Sequence, residues 1–302
     1  MHSSAHYRQL LARLPQIAVA ADQFQVLNSA KDFKSRILSL IAGATQRIYL
    51  IALYLQDDEA GREILSALYA AKQRNPALDI KVFVDFHRAQ RGLIGKGKQG
   101  GNHLMYQAMA ARHEHQIEIY GVPVKGRELL GVLHLKGFIF DDILLYSGAS
   151  LNDIYLHQQE RYRFDRYHQI HSQALTRSMV NYVDDVFLKS EAVQRLDRTG
   201  IPGAKQLKGQ IRRFKHNLRT SQYRFESIPA NSQEIAITPM VGLGKRGNQL
   251  NRMIRNLVRA TEREIFICTP YFNPPKELNK DVEALLKRGC KVTIVVGDKT
   301  AN

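Results

Sequence analysis

"FKSRILSLIAGATQRIYLIALYL" (residues 33–55) has a second version in "LNRMIRNLVRATEREIFICTPYF" (residues 250–272). Each copy is followed by a helical segment and an apolar strand: "GREILSALYAAKQRNPALD" and "IKVFVDFH" after the first, "KELNKDVEALLKRG" and "CKVTIVVGD" after the second. Corresponding landmarks lie 210 to 217 residues apart. Two unrelated helix–strand pieces could share this composition, but the matched order and near-constant offset favour an internal repeat.

The repeat sets the expected fold class and domain organisation. Helices that alternate with apolar strands predict an α/β fold with a largely buried sheet. We expect a first repeat over residues 1–199, a basic linker helix region over 200–234, and the start of a second repeat over 235–302. The chain stops soon after the second "VVGD", so we infer one complete unit and the opening of another.

The charge balance points to an anionic partner. Lys and Arg total 44 against 28 Asp and Glu, giving a formal net charge of +16. Such a charge suits nucleic acid, an anionic membrane face or a phosphorylated substrate, although a solvated basic surface would look the same. No apolar run approaches the roughly 20 residues that span a bilayer, so we expect no transmembrane segment.

The linker carries much of this positive charge. Four apolar residues recur at helical spacing within a segment that is otherwise rich in Lys and Arg: Leu207, Ile211, Phe214 and Leu218. A helix of this kind can lie on an anionic bilayer surface. It can equally be a connecting helix that packs its apolar side on the core and leaves its basic face in water.

The stretch "VLHLKGFIFDD", from Val132 to Asp142, looks like a buried strand, yet it contains charged groups. On a strand, His134 and Lys136 would point to the same side. Two cationic side chains placed together call for an anion nearby. Asp141 or Asp142 could supply it in a buried ion cluster, or a bound phosphate could do so, and the spacing does not decide between them.

The next segment, "SGASLND", predicts the start of a helix. Ser150 fits the N-cap position, and Asp153 three residues later fits a capping-box acid. A helix beginning there would aim free backbone N–H groups at a phosphate, and Asn152 could add a neutral donor. An ordinary capped helix would have the same sequence.

His134-x-Lys136-x4-Asp141 resembles the HxKxxxxD motif of the phospholipase D superfamily. Gly148 to Asn152 is similar to the family's G-S-x-N element but has one residue more, so either Ala149 or Ser150 could take the serine's place. Longer segments resemble the bacterial phosphatidylserine synthases of that superfamily, including "VDFHRAQRGLIG", "GVLHLKGFIFDD", "LYSGASLNDIYLHQ", "RFDRYHQI" and "CTPYFNPP". The implied fold is a phospholipase D-like mixed sheet flanked by helices.

The resemblance also implies a chemistry. His134 would attack phosphorus to form a phosphohistidine, and Lys136 would bind the phosphate oxygens. Asp141 would orient this pair, while Asp165, or failing that Glu160, would buttress the nucleophile. No metal or other cofactor is implied. The histidine of the second motif would act as general acid and base, but it would fall near residue 344 to 351, so we expect this chain to be inactive, or nearly so, alone.

The implied reaction transfers a phosphatidyl group from CDP-diacylglycerol to L-serine at the membrane surface. We therefore expect a cytoplasmic protein that associates peripherally with the anionic inner membrane. Two alternatives stay open because the motif does not fix specificity. One is another superfamily enzyme, such as a nuclease or a cardiolipin synthase. The other is a non-catalytic basic fragment that binds membrane or RNA.

Overall fold

A computed structural model describes residues 3–91, 100–124, 133–242, 248–269 and 272–297. The chain forms two compact units, one of residues 17–239 and one that joins residues 1–16 to residues 240–302. The basic linker helix thus belongs to the first unit, and the N-terminal helix belongs to the second. The sequence pattern predicted neither assignment, because both depend on contacts distant in the chain.

The larger unit is built on a mixed eight-stranded sheet in the order β2-β8-β7-β6-β3-β4-β5-β9. Strand β3 pairs in parallel with β4, and β4 with β5, whereas every other neighbouring pair in this sheet is antiparallel. This confirms the predicted α/β class with a mixed sheet. The strands are β2 Phe24–Leu27, β3 Arg47–Ile51, β4 Asp79–Asp85, β5 Glu118–Val122, β6 Gly137–Phe140, β7 Ile143–Tyr146, β8 Tyr167–His171 and β9 Gln194–Arg195.

Amphipathic helices flank this sheet and bury their apolar stripes. In the helix over 30–43, Phe33, Ile37 and Ile41 recur every four residues and are buried. The rings of Phe33 and Tyr167 stack at 4.6 Å in the core. The helices of this unit are α2 Ala30–Gly43, α3 Glu59–Arg74, α4 Phe86–Gln90, α5 His103–Ala110, α6 Gln173–Tyr182, continued by a π-helical turn at Val183–Leu188, and α7 Lys208–Thr220. A separate two-stranded ribbon pairs β1 Ile17–Ala20 with β10 Glu234–Ile237.

The smaller unit shows the second copy of the repeat. Its elements are α1 Ser4–Ala12, α8 Gln249–Ala260, β11 Glu264–Thr269, α9 Lys276–Lys287 and β12 Lys291–Val296. Strands β11 and β12 are parallel, as β3 and β4 are in the larger unit, and a helix connects each pair. The predicted order of helix, strand, helix and strand is therefore present in both copies. Val258, Val282, Leu285 and Cys290 form the core of the smaller unit.

The structure of helix α7 favours one of the two interpretations of the basic segment, that of a connecting helix packed on the core. Its apolar residues Ile211, Phe214 and Leu218 are buried, and the Phe214 ring packs edge-on against Phe187. Its basic residues face outward, and Arg213 pairs with Glu191 at 2.9 Å. The apolar side of this helix therefore packs on the protein core.

Strand β6 is shorter than the sequence analysis predicted. The described residues 133–136 have no strand structure, and regular pairing begins only at Gly137. The prediction that His134 and Lys136 lie within a strand was therefore wrong. Leu133 is fully buried, so the apolar pattern continues past the point where strand pairing begins. Apolar residues at every second position indicate which side chains are buried, but they do not indicate where the hydrogen bonds of the sheet begin.

Candidate active site

Most of the polar residues singled out in the sequence, though not Asp141, lie at one edge of the large sheet. Gly137 opposes Ile51, so the amino end of β6 lies beside the carboxyl end of β3. Strand β7 runs back to the same edge, and Tyr146 pairs there with His168 near the start of β8. Strand order and direction therefore bring together the segments just before β6, just after β7 and just before β8. They carry His134 with Lys136, then Ser150 with Asn152, and then Asp165.

His134 and Lys136 have different environments although they are two residues apart. The His134 side chain is exposed at the surface, whereas only 8% of Lys136 is accessible. Partial enclosure of the imidazole lowers the pKa of His134, and the neighbouring Lys136 ammonium lowers it further. His134 is therefore largely neutral near pH 7, with a ring nitrogen free of its proton, as nucleophilic attack requires. Burial lowers the pKa of Lys136 to about 8.

Asp165 supplies a negative charge that acts on the Lys136 ammonium. Its carboxylate opposes the effect of burial on the pKa of Lys136. One oxygen, Oδ1, accepts a hydrogen bond from the N–H of Arg166 at 2.6 Å, and Oδ2 lies against Gly148. Asp165 thus lies at the same edge as Lys136 and Gly148. The other acid considered at this position, Glu160, is exposed.

Ser150 and Asn152 lie in a loop that is held against the segment after β3. Leu151 makes two backbone hydrogen bonds there, donating to Tyr54 O at 3.2 Å and accepting from Gln56 N at 2.9 Å. Ser150 is 2% exposed and Asn152 is 5% exposed. The Asn152 amide nitrogen lies 3.5 Å from the Tyr54 hydroxyl and 3.4 Å from Gln56 Oε1. Both side chains are therefore built into the edge of the site.

The predicted helix after Ser150 was wrong, because residues 153–157 form turns. Asn152, not Ser150, caps them by accepting from the N–H of Tyr155 at 3.1 Å. Asp153 accepts instead from the N–H of Ala60 at 2.7 Å, near the start of α3. The capping pattern is thus satisfied by a partner distant in the sequence, and a continuous helix does not form.

Asp141 lies at the opposite edge of the sheet, in the tight turn between β6 and β7. The four residues of β6 separate it from the site by roughly 13 Å, at about 3.3 Å per residue. Its carboxylate accepts from the backbone N–H groups of Thr45, Gln46 and Arg47, each at 2.8 Å, and from the Thr45 hydroxyl at 3.0 Å. The structure therefore corrects the expected placement of Asp141 beside His134 and Lys136: it anchors the start of β3.

The structure adds site neighbours that the sequence reasoning missed. Tyr54 is buried, which raises its pKa to about 12, and the Arg88 guanidinium lies 5.3 Å from its ring centre. Arg163 lies 5.6 Å from the ring of Tyr155 in the adjoining loop. Asp85, the last residue of β4, is fully buried. The sequence did contain a signal for Asp85, which is an acid at the end of a buried strand. The carboxyl ends of parallel strands meet at one edge of a sheet, where functional sites form.

Within the ranges that the structure describes, no cluster of three His, Cys, Asp or Glu side chains has the geometry of a metal site. His113 is instead stacked on the Tyr69 ring at 4.2 Å. His157 likewise stacks on Tyr162 at 3.7 Å.

Known proteins resemble the chain over almost its whole length. It is 45% identical over 300 residues to a CDP-diacylglycerol–serine O-phosphatidyltransferase of Haemophilus influenzae, and the match covers 97% of this chain and 66% of that protein. It is also 45% identical over 297 residues to the corresponding enzyme of Escherichia coli, covering 98% and 65%. The chain therefore spans about two thirds of the length of these relatives. No protein-family model matches it.

A solved structure has the same fold. The crystal structure of a phosphatidylserine synthase from Haemophilus influenzae superposes with a TM-score of 0.91 at 42% sequence identity. The match covers 100% of this chain and 67% of that one. Identity at this level over the whole chain extends the likeness from the fold to the sequence.

Proposed function

The chain belongs to the phosphatidylserine synthase family, and on this basis we propose that it transfers the phosphatidyl group of CDP-diacylglycerol to the hydroxyl of L-serine. The products would be phosphatidylserine and CMP. The observation that carries the proposal is the pairing of an accessible, neutral histidine with a buried lysine and an opposing carboxylate at one sheet edge. This set matches the needs of displacement at phosphorus.

His134 is the nucleophile in this proposal. A ring nitrogen attacks the phosphorus that carries the diacylglycerol, an N–P bond forms, and the P–O bond to CMP breaks. CMP leaves with the electron pair as a phosphate, whose second pKa is about 6, so this step needs little help from an acid. In the second step the serine hydroxyl attacks the same phosphorus and returns the imidazole. That hydroxyl must lose its proton to a general base.

Lys136 binds the non-bridging oxygens during both displacements. At pH 7 its ammonium is mostly protonated, since its pKa is about 8. A charged donor held in a poorly hydrated position stabilises developing negative charge more strongly than one in water. Ser150 and Asn152 are placed at the same edge as neutral donors, and Asp165 balances the charge of Lys136 between turnovers.

The membrane would supply the lipid donor, and we propose that attraction to it is electrostatic. None of the helices in the described part of the chain is both long and apolar enough to cross a bilayer. Helix α7 keeps its apolar residues in the core, which leaves its Lys and Arg side chains for anionic headgroups. We therefore expect sedimentation with anionic vesicles that weakens steeply with added salt.

The test uses CDP-diacylglycerol labelled in its phosphatidyl phosphate, in mixed micelles. The 302-residue chain is compared with a fusion in which it continues into the final third of the Haemophilus influenzae relative. We expect the chain alone to release about one CMP per protein and to retain an acid-labile label on its histidine. Serine-dependent turnover is expected of the fusion.

His134→Gln is the matched control, because its amide keeps polarity and approximate size but is not a nucleophile. It should abolish both the label and CMP release. Label retained in this variant would contradict the assignment of His134. Absence of label and turnover from both parent proteins, with cleavage of DNA by either, would replace the proposal with a nuclease activity.

A further inference from the structure

Asp85 connects strand β4 to the segment that carries His134. Its Oδ1 accepts hydrogen bonds from the backbone N–H groups of His87 at 3.0 Å and Arg88 at 2.9 Å, which caps α4. Its Oδ2 accepts from the N–H of Leu133 at 2.9 Å. The side chain is fully buried. One carboxylate therefore holds two segments that lie 48 residues apart in the chain.

The hydrogen bond from the N–H of Leu133 to Asp85, here called the tether, holds residues that precede the paired part of strand β6. Residues 133–136 precede the first ladder pair of β6, which joins Gly137 to Ile51. Leu133 is fully buried and directly precedes the exposed His134. Among the residues that the structure describes, sheet pairing thus fixes this segment only from its carboxyl end. The bond from Leu133 to Asp85 fixes it immediately before His134.

We propose that Asp85 is a positioning residue that holds the His134 imidazole in register with Lys136 and the sheet edge. The inference rests on the proposed function. Asp85 is fully buried and acts through the backbone of Leu133, so the role does not require a contact with substrate. A displacement of about 1 Å at a nucleophile can lower a rate roughly 100-fold, so a tether next to His134 affects catalysis directly.

The two oxygens of Asp85 allow the tether to be separated from the cap. In Asp85→Asn, the amide oxygen can remain at the Oδ1 position and keep the bonds to His87 and Arg88, since Asn is a good N-cap. The amide NH2 then faces the N–H of Leu133, and two donors cannot bond. Asp85→Ser is a second variant, whose hydroxyl can cap α4 but is too short to reach Leu133.

Ser29→Ala is the stability control. Ser29 caps α2 by accepting from the N–H of Asp32 at 3.0 Å. Loss of such a cap typically costs about 1 kcal/mol and should leave the His134 segment unchanged. Thermal unfolding of all three variants then shows how much of any effect on activity follows from stability alone.

Two readouts decide the matter, one of which is independent of the reaction. The imidazole C–H resonance of His134 is titrated by NMR, and the rate of label incorporation from CDP-diacylglycerol is measured. Lys136 lowers the pKa of His134, and Asp165 raises the pKa of Lys136. Neither Lys136 nor Asp165 is therefore substituted in these variants. In Asp85→Asn and Asp85→Ser we expect the His134 titration to move toward its ordinary range and labelling to slow about 100-fold.

Ser29→Ala should change neither readout. A parental titration curve and parental labelling in folded Asp85→Asn would overturn the inference and leave Asp85 as a cap of α4. If neither the 302-residue chain nor the fusion takes up label, the proposed function fails, and the NMR titration alone then decides whether Asp85 positions His134.

Discussion

The Asp165 carboxylate lies directly against Gly148, so that a methyl group on the Gly148 Cα would come within 2.6 Å of Oδ2 of Asp165. Carbon and oxygen cannot approach so closely without one of them moving. Gly148→Ala should therefore displace Asp165 from Lys136. We expect the rate of label incorporation to fall at least about 10-fold, as for a displaced group in a preorganised site.

Gly209→Ala is the matched control for this substitution. No atom lies within 4 Å of a Cβ placed there, and the residue is in the first turn of α7. Alanine at this position should leave the rate unchanged and slightly stabilise the helix. Equal activity of the Gly148 and Gly209 variants would show that the position of Asp165 does not matter to the reaction.

The pH dependence of labelling should report Lys136 and His134. The rate should fall as pH rises through about 8, because Lys136 then loses the charge that binds phosphate. It should also fall at low pH, where His134 becomes protonated, and this limb should lie below the ordinary range for histidine. Both limbs are read from the labelling rate constant at low donor concentration.

Asp165→Asn should move the high-pH limb toward lower pH, since the carboxylate raises the pKa of Lys136. In Lys136→Arg the limb should disappear, because a guanidinium does not titrate in this range. An unchanged high-pH limb in both variants would assign it to another group.

Asp141 should matter to stability and little to chemistry. Partial burial raises its pKa, but the N–H groups of Arg47, Thr45 and Gln46 outweigh burial and hold the pKa below its ordinary value. Its backbone φ of 52° also disfavours most residues other than Gly, Asn and Asp. Removing a charged acceptor of several bonds should cost about 2 to 3 kcal/mol in Asp141→Ala.

Urea unfolding measures this cost, and Asp142→Ala is the neighbouring control. Because the folded pKa of Asp141 is lowered, its contribution is present above the unfolded pKa and is lost as pH falls through the folded value. The difference between parent and Asp141→Ala should therefore shrink in acid. A stable Asp141→Ala chain that no longer takes up label would return Asp141 to the site.

A pair of acids next to the Asn152 loop should make folding depend on pH. Burial raises the pKa of Asp58 to about 6, and the nearby Asp153 carboxyl adds to this. Asp58 caps α3 and accepts from the N–H of Asp153 at 3.0 Å. The unfolded chain binds fewer protons than the folded one between about pH 4 and 6, so stability should decrease as pH rises through that window.

Asp153→Asn should flatten this dependence. Its amide oxygen can still accept from the N–H of Ala60, while its NH2 group replaces the second carboxylate facing Asp58. Denaturant unfolding at pH 4.5 and 7.5 measures the slope. A slope that is equally steep in Asp153→Asn would contradict the contribution of the Asp153 carboxylate and leave burial of Asp58 as the cause of the pH dependence.

The sequence was most informative where one pattern had one structural solution. The repeat of helix, strand, helix and strand gives parallel strand pairs at Arg47–Asp79 and Glu264–Lys291, because a helix that links two neighbouring strands normally makes them parallel. The predicted basic helix is also present, and its apolar positions are those the spacing indicated.

Local patterns were less informative where a distant contact replaced a local one. Asp153 fits a capping box in sequence, but in the structure its carboxylate accepts a hydrogen bond from the N–H of Ala60. Leu133 continues an apolar strand pattern, but its N–H donates a hydrogen bond to the side chain of Asp85 and not to a neighbouring strand. In both cases the competing partner is 48 or more residues away, so no window of sequence contains it.

The hairpin of β6 and β7 divides the HxKxxxxD motif between two edges of the sheet. A mutational scan that recorded protein abundance and activity separately would therefore split these eight residues into two classes. Substitutions of His134 and Lys136 would yield soluble but inert protein, whereas substitutions of Asp141 would lower the yield of protein whose specific activity is normal. A pattern that sequence comparison treats as one signature would thus record two independent selective pressures.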